Sequence, residues 1–104
     1  MNMDKIMKQA QRMQANIALA QEELEKTTTE GTSGGGAVRA TVNGKGDVVS
    51  ISISKDVVDP SDVEMLEDLV LSALKEAIKK SRDIAAEKMN SATGGLGGGF
   101  AGLM

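Results

Sequence analysis

Six basic residues, in two groups, are the side chains best spaced to do chemistry together. Lys5, Lys8 and Arg12 follow i, i+3, i+7 spacing, and Lys75, Lys79 and Arg82 follow i, i+4, i+7. On helices each group forms one stripe, because residues three and four apart are surface neighbours. Such a stripe can grip a row of phosphates, each cation displacing a condensed counterion. Taken singly, the same residues read as solubilising charge and as complements to a helix C-terminus. Lys80 falls on another side of the second segment, and Lys88 lies further along it. Gln9, Gln11, Arg12 and Gln14 are of the types that read base edges, although glutamine on an outer helix face is equally ordinary polar surface.

Other candidate sites dissolve on inspection. The chain has no cysteine and no histidine, which removes disulfides, thiolate metal sites, cysteine nucleophiles and the usual neutral-pH proton shuttle. Asp56, Asp59 and Asp62 lack the D-x-D-x-D spacing and following glycine of a calcium loop, and read better as a cluster at a helix start. Asn43-Gly44-Lys45-Gly46 has the look of a phosphate loop but not its G-x-x-x-x-G-K-[ST] pattern, and reads as a hairpin turn between strands. Met3, Met7 and Met13 suit apolar packing better than a soft-metal site. No nucleophile–base pair is present, so the expectation is a protein that is not an enzyme, with no cofactor, no metal and no small-molecule substrate.

The elements that must position the two stripes follow from periodicity. Met3, Ile6, Ala10, Met13, Ile17, Ala20 and Leu24 alternate steps of three and four, a heptad a/d seam that predicts a helix over about 2–26, roughly 37 Å long. Lys5, Lys8 and Arg12 occupy positions c, f and c, away from that seam. Val38, Ala40 and Val42 alternate with Arg39, Thr41 and Asn43, and after the turn Val49, Ile51 and Ile53 alternate with serines, so strands are expected within 27–54. A weaker first strand fits Thr27 to Thr32, followed by the Ser33-Gly34-Gly35-Gly36 linker. Ser61-Asp62-Val63-Glu64 has capping-box form and opens a second helix over about 62–91. Its apolar residues spread over roughly 200° of the wheel, twice the usual stripe, so it must bury two faces. Residues 94–104 contain six glycines and read as a flexible tail.

Composition constrains the assembly. A chain of 104 residues makes one domain with a thin core, since its single aromatic residue, Phe100, lies in the tail. Short strands cannot cover either helix from end to end. A second copy of the chain is the economical cover, with Met3, Ile6, Met13, Ile17, Leu71, Leu74 and Ile78 as candidate interface residues. The net charge of −3 excludes a domain that is basic all over, so nucleic-acid affinity must come from local patches. The lack of aromatic platforms argues against single-strand stacking. No apolar run suits a signal peptide or a membrane span, so a cytoplasmic protein without membrane contact is expected.

Four segments in order, MKQAQRMQ, VRATVNGKGDVVSISI, DPSDVEMLEDLVLSAL and the stretch from AAEKMN into GGLGGG, resemble the YbaB/EbfC family of bacterial nucleoid-associated proteins. The resemblance spans nearly the whole chain except the Thr/Gly linker. It implies an α+β fold of order α-β-β-β-α, a small antiparallel three-stranded sheet with two long projecting helices, built as an intertwined homodimer. It also implies binding of double-stranded DNA with little sequence specificity, and a part in nucleoid organisation and gene regulation. The basic stripes would then carry the phosphate contacts. The competing expectation, motivated by the acidic balance and by Met7 and Leu19 off the seam, is an adaptor whose helices bind another protein.

Overall fold

The computed structural model describes residues 2–94. Its elements run α1 (Met3–Lys26), β1 (Thr28–Ser33), β2 (Val38–Asn43), β3 (Val48–Ile53) and α2 (Val63–Ala92). The three strands form one antiparallel sheet in the order β1-β2-β3. This is the α-β-β-β-α order expected from the sequence, with helix ends displaced by one residue. The expected tail lies, from residue 95 onward, outside the described residues.

Residue types account for most boundaries. Asn2 caps α1, its side chain accepting from the Lys5 N–H at 3.2 Å. The helix stops at Thr27, whose hydroxyl folds back onto the Glu23 carbonyl at 2.8 Å. Gly34, Gly35 and Gly36 all have positive φ and form a tight 3-10 turn, so the glycine linker is an ordered connection that side chains would strain. The start of α2 differs from the expected capping box. Asp62 is the N-cap, accepting from the Met65 N–H at 3.2 Å, while the Ser61 hydroxyl instead donates to Asp59 at 2.7 Å.

The core forms where α2 crosses β1 and β2. Val38, Ala40 and Val42 point to one face of the sheet, and Ala73 and Ala77 press onto them, all fully buried. Ala73, Ala77 and Ser81 recur every four residues, making a smooth strip along one side of α2. Opposite it, β1 offers Gly31, paired with Ala40. A Cβ on Gly31 would sit 2.1 Å from the Ala73 carbonyl oxygen and 2.5 Å from the Ala77 nitrogen. With the backbones this close, hydroxyls reach across. Ser81 donates to the Asn43 carbonyl at 2.7 Å, Ser33 to the Leu69 carbonyl at 2.6 Å, and Thr29 to the Ala77 carbonyl at 2.9 Å. Each such bond contributes about 1 kcal/mol net, and breaking it would strand a buried polar group.

Helix α1 is anchored only at its C-terminal end. Leu24 is buried against the β2–β3 turn, where the Gly44 N–H donates to the Leu24 carbonyl at 2.8 Å and a Cβ on Gly44 would meet Leu24 Cδ2 at 2.7 Å. From there α1 runs antiparallel to α2, with Asn16, Ala20 and Glu23 across from Lys88, Ser91 and Ala92. Residues before Asn16 extend about 20 Å past the end of α2, giving a molecule 71 Å long and 16 Å thin.

This packing makes a sharp prediction for Gly31→Ala. The added methyl forces α2 off the sheet, and a loss of about 3 kcal/mol is expected in denaturant unfolding. Unchanged stability would show that the close approach does not carry the fold.

Candidate nucleic-acid interface

All six nominated cations are exposed and lie on the two helices. Their electrostatic setting separates them from the other bases. Of the twelve Lys and Arg residues, four have a carboxylate within 4 Å: Lys26 with Glu22, Arg39 with Glu30, Lys80 with Glu76 and Lys88 with Glu23. Lys5, Lys8, Arg12, Lys75, Lys79 and Arg82 have no such partner among the described residues, and neither do Lys45 and Lys55. A cation already paired must give up that partner to meet a phosphate, whereas these need only shed water and counterions.

Sidedness on α2 is as informative as pairing. With Ala77 facing the sheet, Arg82, Lys75 and Lys79 fall roughly 140–200° away, on the outer surface. Glu76, Asp83 and Glu87 fall roughly 240–280° around, toward β1. Lys80 belongs to that second side, where its ammonium donates to the Glu30 carbonyl at 2.9 Å. The acids Glu64, Glu67 and Asp68 occupy the first turns, where they complement the helix dipole and leave the C-terminal half of the outer surface basic. On α1, Asp4 is the sole acid before Glu22.

The two stripes lie in succession along the helix pair without touching. Arg12 and Arg82 are about 20 Å apart along its axis, and Lys5 and Lys75 about 40 Å. That span is comparable to one turn of duplex DNA, about 34 Å.

The nominated apolar residues divide in the same way. Leu71 is 52% exposed and, with Leu74, lines an apolar gutter of about 420 Å³ completed by Leu66, Val70 and Ile53. Ile78 lines a separate cleft beside the β2–β3 turn. On α1, Met13 and Ile17 are partly covered, whereas Met3 and Ile6 are exposed at 63% and 46%. Sequence reasoning places β3 but not its exposure. Every residue of Val48–Ile53 is exposed, because α2 lies over β1 and β2 and stops short of it. The alternation of Val49, Ile51 and Ile53 announces an apolar face but does not say whether anything covers it, and a bulge between Thr41 and Val42 leaves Val49 unpaired.

The Asp56, Asp59 and Asp62 cluster serves the chain itself. Asp62 caps α2, and Asp59 accepts from the Ser61 hydroxyl and N–H. Among the described residues no group of three or more carboxylates is arranged to hold a metal ion. No described helix is long and apolar enough to cross a membrane.

Comparison with known proteins decides the family. The model of the YbaB/EbfC DNA-binding family matches residues 1–96. The chain belongs to the YbaB/EbfC DNA-binding family. A nucleoid-associated protein of Lachnoclostridium phytofermentans is 53% identical over 104 residues, covering 98% of this chain and 87% of its own. One of Chloroflexus aurantiacus is 50% identical over 100 residues, covering 96% of this chain and 100% of its own. The crystal structure of an uncharacterized Helicobacter pylori protein shares the fold at a TM-score of 0.70 and 24% identity, covering 80% of this chain and 87% of that one. The YbaB/EbfC family is a DNA-binding family rather than an enzyme family.

The acidic turn before α2 makes a testable statement about pH. The Ser61 hydroxyl, and then its N–H, hold the Asp59 carboxyl below the ordinary aspartate range. A depressed value means the turn is fully stabilised above the ordinary aspartate pKa and weakens as pH falls through the lowered one. Carboxyl NMR titration should put Asp59 below the ordinary aspartate value, and Ser61→Ala should raise it; an unmoved midpoint in that variant refutes the assignment.

Proposed function

We propose that this YbaB/EbfC chain binds duplex DNA with little sequence specificity, as a homodimer, gripping backbone phosphates with Lys5, Lys8, Arg12, Lys75, Lys79 and Arg82. The observation that carries this reading is the coincidence of three properties in those six residues: exposure, freedom from carboxylate partners among the described residues, and alignment along the projecting helix pair. Phosphate contacts fix a protein on DNA without reading its sequence, which suits stripes made of Lys and Arg. The cellular setting that follows is the bacterial cytoplasm, at the nucleoid, with effects on DNA organisation and gene expression.

The homodimer is supported by surface a single chain leaves uncovered. Strand β3 reads Val-Val-Ser-Ile-Ser-Ile, with no charge or proline to discourage pairing along its edge. Next to it runs the gutter of Leu66, Val70, Leu71 and Leu74. A second copy related by a two-fold axis covers both at once and doubles the number of basic stripes. The seam on α1, from Met3 to Ile17, offers a further contact along the projecting arm.

An adaptor reading, in which the helices dock on another protein, draws on Met7 and Leu19, exposed at 57% and 55%. Salt dependence separates the two. For about six neutralised phosphates, log affinity for random-sequence duplex should fall against log salt with a slope near −5. Converting all six residues to Gln should abolish binding near physiological salt while the helical content is retained. Unaltered affinity in that variant eliminates the surface, and retention of a protein partner without DNA binding favours the adaptor.

Mass in solution tests the assembly. The native chain should sediment at about twice its 10.8 kDa, and Ile51→Glu with Leu71→Glu should sediment as a monomer, since burying two carboxylates in an apolar interface costs several kcal/mol each. A double variant that remains dimeric rules out the gutter as the interface.

A further inference from the structure

Two of the unpaired cations come from different elements and share one cleft. Lys45 sits at the tip of the β2–β3 turn and Arg82 on the outer side of α2. Together with Gly44, Gly46, Ile78, Ser81 and Ala85 they line a cleft of about 330 Å³. Apart from Ile78, the rest of the lining is glycine, alanine and serine, so the cleft is walled mostly by small residues. We propose that this cleft is a phosphodiester-binding site in which Lys45 and Arg82 hold one backbone phosphate of the DNA between them. The inference rests on the DNA-binding reading above and adds to it a residue outside both helical stripes.

The turn is built so that side chains, not its backbone, do the binding. Asn43 Oδ1 accepts from the N–H groups of Lys45 and Asp47, both at 3.0 Å. The Gly46 N–H donates to the Asn43 carbonyl at 3.0 Å, and the Gly44 N–H is engaged by the carbonyls of Leu24 and Thr27, both at 2.8 Å. No amide of Gly44–Asp47 is left for an anion, which separates this site from a phosphate loop. What the network supplies is rigidity. Gly46, at φ +89°, closes the turn, and Ser81 ties Asn43 to α2 through a 2.7 Å bond. The base of Lys45 is therefore fixed relative to the helix that carries Arg82.

Charge around the cleft agrees with an anionic ligand. The turn's own carboxylate, Asp47, lies 3.4 Å from Asn43 Nδ2 and within 4 Å of neither cation. The acids of the same part of α2, Glu76, Asp83 and Glu87, fall on the side toward β1, roughly 100° or more around the helix from Arg82. An Arg guanidinium offers a planar fork for two phosphate oxygens, and Lys adds a mobile point charge from across the cleft. Two such groups on one phosphate release fewer counterions than two phosphates held separately, which makes the arrangement measurable.

Titration of Lys45→Gln, Arg82→Gln, the double variant and Lys55→Gln against random-sequence duplex at several salt concentrations tests the proposal. Lys55 is a control, exposed and unpaired but not part of the cleft. Each cleft variant should weaken binding about 3- to 10-fold. The double variant should reduce the magnitude of the log–log salt slope by about 0.9 per chain, the value for one phosphate. Lys55→Gln should match the native protein. Native affinity in Lys45→Gln, a loss of equal size in Lys55→Gln, or a slope change of about 1.8 per chain in the double variant, the value for two phosphates, each overturns the shared site while leaving the wider reading intact. No DNA binding by the native chain would instead defeat that reading. Shifts of the Lys45 and Gly46 amide signals on adding duplex, but not on adding inorganic phosphate at equal phosphate concentration, would assign the cleft to the polymer; the reverse pattern would assign it to free phosphate and overturn the proposal.

Discussion

The contact between the backbone of α2 and the backbone of β1 at Gly31 sets the geometry of everything else. Ala73, Ala77 and Ser81 let the helix settle onto a strand that has no side chain at the crossing. The approach is what allows Thr29, Ser33 and Ser81 to reach carbonyls on the opposing element. With no large side chain at the Gly31 crossing, the core there is thin and position-specific, and it fixes α2 over β1 and β2. Strand β3 is uncovered as a direct result, because a helix held that tightly to one side cannot also span the other. The outward rotation of Arg82, Lys75 and Lys79 follows from the same contact, since the buried strip fixes the rotation of the helix about its own axis.

An acidic chain can carry a basic surface when its acids are spent on local tasks. Asp62 caps α2, Asp59 braces the turn before it, and Glu22, Glu23, Glu30 and Glu76 are paired with bases. Glu64, Glu67 and Asp68 sit at the positive end of α2. What remains on the outer C-terminal half of α2 and on the N-terminal half of α1 is predominantly cationic. Net charge, summed over the chain, conceals that distribution.

Much of the fold was legible in the residues because its signals are local. The three-and-four spacing from Met3 to Leu24, the strand alternation around Asn43-Gly44-Lys45-Gly46, and the glycine-free run after Pro60 each mark an element without reference to any other. The stripes on α1 and α2 were legible for the same reason. Relations between elements were less so. The i, i+4, i+8 recurrence of Ala73, Ala77 and Ser81 was hidden inside a broad apolar arc, and the arc alone does not say which part meets the sheet. That Lys80 and Lys88 would be engaged at Glu30 and Glu23, or that Lys45 and Arg82 would come to line one cleft, depends on contacts spanning tens of residues. Ser61 fits the capping-box spacing but Asp62 is the cap, because Asp59, Ser61 and Asp62 compete for the same few N–H groups and sequence spacing does not rank them.

The two edges of the sheet are not equivalent. Strand β1 carries a lysine ammonium on its Glu30 carbonyl and has Thr29 and Ser33 tied to the helix above, whereas β3 presents six uncharged residues and, among the described residues, no strand across its outer side. A sheet with two open edges can add strands without limit, and fibres are the result. A sheet with one open edge can add a single neighbour, after which both exposed edges are of the closed kind. In this chain the Lys80 ammonium on the Glu30 carbonyl makes β1 the less available of the two edges.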